Sequence, residues 1–329
     1  MIIAYDEQQQ RIKANQAERG SGPFYCPGCR NPVILKKGQH KLPHFSHYAS
    51  SRCETFSEGE TEEHIAAKAL LYDWFADQKC EMEAYLPDLK QRPDLLVGQT
   101  AIEVQCSPLP WERFMERTKN YTDFGYFPWW LLGRRLQPHL HRRWTLLQKA
   151  ACRFAEGVGG YLWVLDAKDQ RIGLLYAIHW HYKFGTSFRT HYFSKGEPID
   201  HQASLLGISI ESSQRLKWQP EAYRVWLLHK LVQQQKQILY IQALLYPLGG
   251  HIGNLPHWCY RPSITSFLLE HRLLVWRYIF HQQPSQSFSQ WVSQIQRCDE
   301  RWSFPMIDQN QVLRQVYQEC SDFQKIQAF

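Results

Sequence analysis

The residues best able to do chemistry lie in the stretch Arg92-Pro93-Asp94-Leu95-Leu96-Val97-Gly98-Gln99-Thr100-Ala101-Ile102-Glu103-Val104-Gln105. Two runs of alternating apolar residues flank Gly98-Gln99, and a Gly-first pair suits a type II′ hairpin turn. Pairing Val97 with Thr100 carries Leu96 to Ala101, Leu95 to Ile102 and Asp94 to Glu103. Directly opposed residues have Cβ atoms about 5 Å apart. Two carboxylates at that range repel, and a divalent cation between them removes the conflict. Gln105 shares the face of Glu103, while Leu95, Ile102 and Val104 turn to the other face and pack. A longer loop would shift the register, but a diagonal arrangement would still leave both acids within reach of one Mg²⁺. The alternative is an edge hairpin with solvated acids, which fits the apolar context poorly.

Upstream, Ser57 to Gln78 reads as a helix, with Ser57 and Glu60 spaced as a capping box. Glu60, His64 and Lys68 recur every four residues and share a face, with Leu71 and Phe75 slightly further along. An acid, an imidazole and an amine beside a core-facing stripe are placed for chemistry at a sheet. An ordinary solvated face with a Glu-to-Lys pair is the plainer alternative. Nearer the N-terminus, Cys26-Pro27-Gly28-Cys29 and His44-Phe45-Ser46-His47 form C-x2-C-x14-H-x2-H. Thiolate and imidazole suit tetrahedral zinc, and four protein ligands make the role structural. So short a segment has too little core to fold unaided, so the metal would supply folding free energy. Cys53 is a spare thiol that could replace one of the His.

These groups need elements to hold them. Residues 1–53 read as β-hairpins around the zinc staple. Residues 57 to about 135 run helix, strand pair, helix, strand, which predicts one mixed sheet flanked by helices. Residues 136–158 read as a helical connection, and Tyr161 to Phe193 returns to strands. The remainder is helical, with one long amphipathic helix over 221–246 and others after Pro262, Pro284 and Pro305. The domain division is 1–53, 54–158 and 159–329. Lys and Arg exceed Asp and Glu by 38 to 31, a balance that suits a phosphate-bearing partner without requiring one. No secretory leader or apolar run long enough for a membrane span is visible, and nine Cys is not a disulfide scaffold. The expected setting is cytoplasmic.

Taken together, the segments Met1-Ile2-Ile3-Ala4-Tyr5-Asp6, Cys26-Pro27-Gly28-Cys29, Pro43-His44-Phe45 to His47, Glu60-Thr61-Glu62-Glu63-His64 through Lys68, Gln91-Arg92-Pro93-Asp94 and Ala101 to Ser107 resemble the competence protein CoiA family over residues 1–135. The resemblance implies a mixed α/β, restriction-endonuclease-like core behind an N-terminal zinc-binding β module, with a mostly α-helical C-terminal region. It implies Mg- or Mn-dependent DNA cleavage in the uptake and recombination of incoming single-stranded DNA. The expected partners are single-stranded or branched DNA and a recombinase. Asp94 then stands as the signature Asp, Glu103 as the second acid, and Gln105 where Lys is usual. Gln lacks the positive charge, so either another cation serves, with Lys68 the best candidate, or activity is weak or lost. A non-catalytic recombination mediator on a degenerate nuclease fold is the rival reading.

Overall fold

The computed structural model describes residues 1–38, 42–48, 53, 61–156, 158–199, 218–299 and 301–327. The chain forms two compact units. The first comprises Met1–Gln137, Trp163–Leu174 and His191–Ser204, and the second comprises Pro138–Leu162, Leu175–Thr190 and Leu205–Phe329.

The first unit opens with five short strands, β1 (Ile3–Tyr5), β2 (Arg11–Lys13), β3 (Phe24–Tyr25), β4 (Pro32–Lys36) and β5 (His44–His47), in the sheet order β2-β1-β3-β4-β5. Phe24 and Phe45 meet across its small core with ring centroids 5.0 Å apart. Next come α1 (Glu62–Trp74), β6 (Cys80–Met82), β7 (Leu95–Val97), β8 (Thr100–Gln105), α2 (Trp111–Asp123) and β9 (Phe127–Gly133). Helix α1 starts on Thr61, whose hydroxyl accepts the His64 amide, and it ends at Trp74 rather than Gln78. The capping residue Ser57 and its partner Glu60 lie outside the described residues.

The expected strand pair is a three-strand meander, since Cys80–Met82 adds β6 on the far side of β7. The β7–β8 register is Leu95↔Ile102, Leu96↔Ala101 and Val97↔Thr100, as the hairpin reading requires. Gly98 has φ +57° while Gln99 keeps a negative φ, the pattern of a type II′ turn. Strand β9 runs parallel to β8, opposing Trp130 to Glu103, with α2 as the crossover. Strands β11 (Gly159–Asp166), β12 (Arg171–His181) and β13 (Gly185–Phe193) extend the sheet to the order β13-β12-β11-β9-β8-β7-β6.

In the second unit the 136–158 connection is only partly helical. A capping box of Thr145 and Gln148 starts the short α3 (Leu146–Ala150), and β10 (Arg153–Ala155) pairs with the start of β11. The long helix expected over 221–246 is two, α4 (Pro220–Val232) and α5 (Lys236–Leu245). They break at Gln233–Gln235, where Gln234 takes φ +52°, outside the helical region. After α6 (Ser266–Leu269), the helices α7 (Arg272–Gln282), α8 (Phe288–Cys298) and α9 (Gln309–Gln327) complete the unit. No described helix is long and apolar enough to cross a membrane.

Candidate active site and metal centre

Asp94 sits one residue before β7, and its carbonyl accepts the Glu83 amide at 3.0 Å, carrying the β6–β7 pairing one step further. Its Oδ2 lies 2.9 Å from His64 Nε2 on α1 and accepts the Val104 amide of β8 at 2.9 Å. Oδ1 is 4.0 Å from Lys68 Nζ. Burial alone would favour the neutral acid, but the His64 imidazole, the Lys68 ammonium and the Val104 amide outweigh it and hold this carboxyl well below the usual range. Asp94 is therefore an anion.

Glu103 stands in mid-strand on β8, between β7 and β9, and is 2% exposed. A buried carboxylate needs partners, and α2 supplies them: Tyr121 donates its hydroxyl to Oε1 at 2.5 Å, and Arg117 Nη2 donates to the same oxygen. Burial pushes Glu103 up to about 7 against the pull of Arg117, and the charge on Asp94 adds to the rise. The charge on Asp94 thus acts on Glu103. Both bonds fall on Oε1, which leaves Oε2 unclaimed by Arg117 and Tyr121. An all-oxygen donor set with two mutually repelling carboxylates suits a hard divalent cation that keeps its waters. It is not a closed cage. Among the described residues, no three His, Cys or acid ligand atoms that include Asp94 or Glu103 lie within 4.8 Å of one another.

Lys68 is fully buried, with Nζ 2.5 Å from Glu83 Oε1. Glu83 is the principal residue that the sequence reading missed. It also accepts the Ile2 and Ile3 amides at 3.0 Å and lies 3.4 Å from Arg92 Nη1. One carboxylate thereby ties the first strand of the N-terminal sheet to the Lys68–Asp94 pair. A buried Lys on an apolar helix stripe was the available signal, because such an amine requires a buried acid. Tyr121 was legible too, since Phe114, Thr118 and Tyr121 form the buried face of α2. Gln105 is turned away from this chemistry, its Nε2 donating to Ser107 O at 2.8 Å. Glu60 lies outside the described residues.

The other cluster is Cys26, Cys29, His47 and Cys53, whose ligand atoms all lie within 4.8 Å of one another, a Cys₃His set that could hold a metal such as zinc. The Gly28 and Cys29 amides reach Cys26 Sγ at 3.4 and 3.5 Å, and Cys29 Sγ is 3.3 Å from His47 Nε2. Burial pushes the Cys26 thiol up to about 12, with Cys53 and Cys29 adding to the rise, and a cation would reverse that pressure. Burial also keeps His47 neutral, as a ligand must be. The expected ligand His44 is displaced by Cys53. His44 and His47 occupy β5, where residues three apart face opposite sides, and His44 Nδ1 instead lies 2.9 Å from Leu42 O.

Several basic residues of this segment have acid partners. Arg117 holds Glu103, Arg113 holds Glu116, and Lys119 holds Asp123. Arg134 and Arg135 stand 3.9 and 4.0 Å from Asp166 and Glu63. Trp129 and Trp130 are core residues, 3% and 2% exposed.

Comparison with known proteins fits this arrangement. Residues 6–56 match the family model of the competence protein CoiA N-terminal domain, and residues 60–205 match that of the CoiA nuclease-like domain. The chain belongs to the CoiA family. Competence protein CoiA of Bacillus subtilis (strain 168) is 30% identical over 133 residues, which is 39% of this chain and 34% of that protein. The match therefore spans about a third of the curated CoiA relative's length. Asp94, Glu103 and their partners all fall within the CoiA nuclease-like segment, and the Cys₃His cluster falls within the CoiA N-terminal one. No solved structure matches the chain.

Proposed function

We propose that this CoiA-family chain is a metal-dependent deoxyribonuclease with a restriction-endonuclease-like core, acting on single-stranded or branched DNA during DNA uptake and recombination. The observation that carries the reading is the ionised Asp94, bound to His64 and Val104 and electrostatically coupled to Glu103 on the paired strand. Asp94 and Glu103 would hold a magnesium or manganese ion, which when bound offsets charge at a scissile phosphate and acidifies water. His64, a fifth exposed and sharing Asp94 Oδ2, is placed to carry a proton at its ring nitrogen. Lys68 lends positive charge to Asp94 from its buried seat, and Glu83 fixes it there. Zinc at Cys26, Cys29, His47 and Cys53 would hold the N-terminal sheet, whose Ile2 and Ile3 amides grip Glu83.

The test is cleavage of single-stranded, duplex and branched DNA in Mn²⁺ or Mg²⁺ by wild type, Asp94→Ala and Glu103→Ala. Wild-type cleavage lost in both variants supports the assignment, and cleavage surviving both removes it. One feature favours a non-catalytic mediator that binds DNA or a recombinase: Gln105 occupies the usual Lys position and bonds to its own loop. Tight DNA binding without cleavage would select that reading.

A further inference from the structure

The second unit contains a cleft of about 700 Å³, a size typical of ligand sites, whose makeup the nuclease reading does not use. The loop before α3 forms one side and the β12–β13 turn the other. His141 clamps them together: its amide donates to Thr186 O at 2.7 Å, and its Nδ1 lies 3.0 Å from Phe184 O. Gly185 makes the approach possible. It has φ +73°, and a Cβ there would stand 3.2 Å from His141 O. The floor is aromatic, with Trp144 packed on Phe267 at 4.7 Å.

Two properties coincide at the walls. One is aromatic surface: Tyr182 stacks on Tyr223 at 4.7 Å and 25°, Trp226 lies over His271 at 5.5 Å and 19°, and Trp180 and the 45%-exposed Phe184 also face the cleft. The other is uncompensated positive charge. Arg142, Arg143 and Lys183 line the cleft exposed, without an acid partner among the described residues. The acid of the cleft, Glu270, is already held by Lys149 at 3.0 Å and by Gln237 at 3.0 Å. Cations without an acid partner among the described residues, beside partly exposed aromatic rings, match a polyanion whose repeating unit carries both a phosphate and an aromatic base. An acidic peptide would leave the rings unused, and a duplex keeps its base faces stacked.

We propose that this cleft binds single-stranded nucleic acid, with phosphates on Arg142, Arg143 and Lys183 and a base against the aromatic wall. The site is separate from Asp94 and Glu103 and stands whether or not the chain cleaves DNA.

The test uses the full chain without added divalent ion and a fluorescein-labelled oligo-dT, with anisotropy measured across a salt series. The double substitution Arg142→Ala/Arg143→Ala is expected to weaken binding about tenfold or more and to flatten the slope of log affinity against log salt by roughly 1.4, about 0.7 per lost phosphate contact. Phe184→Ala is expected to weaken it about tenfold, and the oligonucleotide to quench tryptophan emission. The control Arg113→Ala/Lys119→Ala removes two cations already paired with acids and should leave affinity unchanged. Unchanged affinity and slope in the Arg142/Arg143 variant would overturn the proposal, as would an equal loss in the control. A duplex binding as tightly as the single strand, or poly-glutamate displacing it equally well, would also overturn it. Cleavage plays no part in this readout, so failure of the nuclease reading and failure of this one are distinguishable.

Discussion

Glu103 is a carboxylate in the middle of a central strand, held by Arg117 and Tyr121 on one oxygen and pushed toward neutrality by burial and by Asp94. Such an arrangement costs stability, which fits a residue kept for chemistry. Asp94→Asn is expected to lower Mn²⁺-dependent cleavage roughly a hundredfold or more, as loss of a charged group at a reacting phosphate does, read as initial rates on labelled DNA. Lys68 and Glu83 form a fully buried pair, so Glu83→Ala removes the nearest acid from a buried ammonium and should cost about 3–5 kcal/mol in urea unfolding. The β7–β8 register was legible because a two-residue turn and a period of two leave no freedom once Gly98-Gln99 is recognised. Glu83 was not. It lies at φ +54° past the end of β6, and the Ile2 and Ile3 amides that it binds come from a distant part of the chain.

Among the elements, β5 shows where ligand spacing misleads. His44 and His47 fit a metal motif by count, yet strand alternation separates them and Cys53 completes the set. Zinc content measured after purification should therefore fall in Cys53→Ser and stay stoichiometric in His44→Ala. The α4–α5 corner was hidden for another reason. Leu231 and Ile238 lie two helical turns apart, so the apolar pattern reads through the break that Gln234 makes with its positive φ. Gly accepts that conformation freely, and Gln234→Gly should stabilise the second unit by ~1 kcal/mol, measured by thermal melting. The helix starts after Pro262, Pro284 and Pro305 were readable, because proline and capping signals are local.

For the whole molecule, charge and burial set the conditions under which it stays folded. In the second unit His271 is buried beneath Trp180, Tyr223 and Trp226; burial lowers its pKa from 6.5 to about 4, against a smaller opposing pull from Glu270. The unfolded chain binds that proton near pH 6.5 while the folded chain refuses it until about pH 4. This contribution is fully present above pH 6.5 and is lost as pH falls toward 4, about 3 kcal/mol in all. Urea unfolding of His271→Asn across that range should show a flatter pH dependence than wild type. The first unit links the N-terminal sheet that carries its Cys₃His cluster to its acids through Glu83, which joins the Ile2 and Ile3 amides to Lys68 and Asp94. Whether the acids hold a cation together is read most directly by Mn²⁺ titration, followed by electron paramagnetic resonance, of zinc-loaded wild type, Asp94→Asn and Glu103→Gln. One Mn²⁺ bound by wild type and lost from both variants is the expected result. The same Mn²⁺ affinity in all three proteins would contradict the shared site.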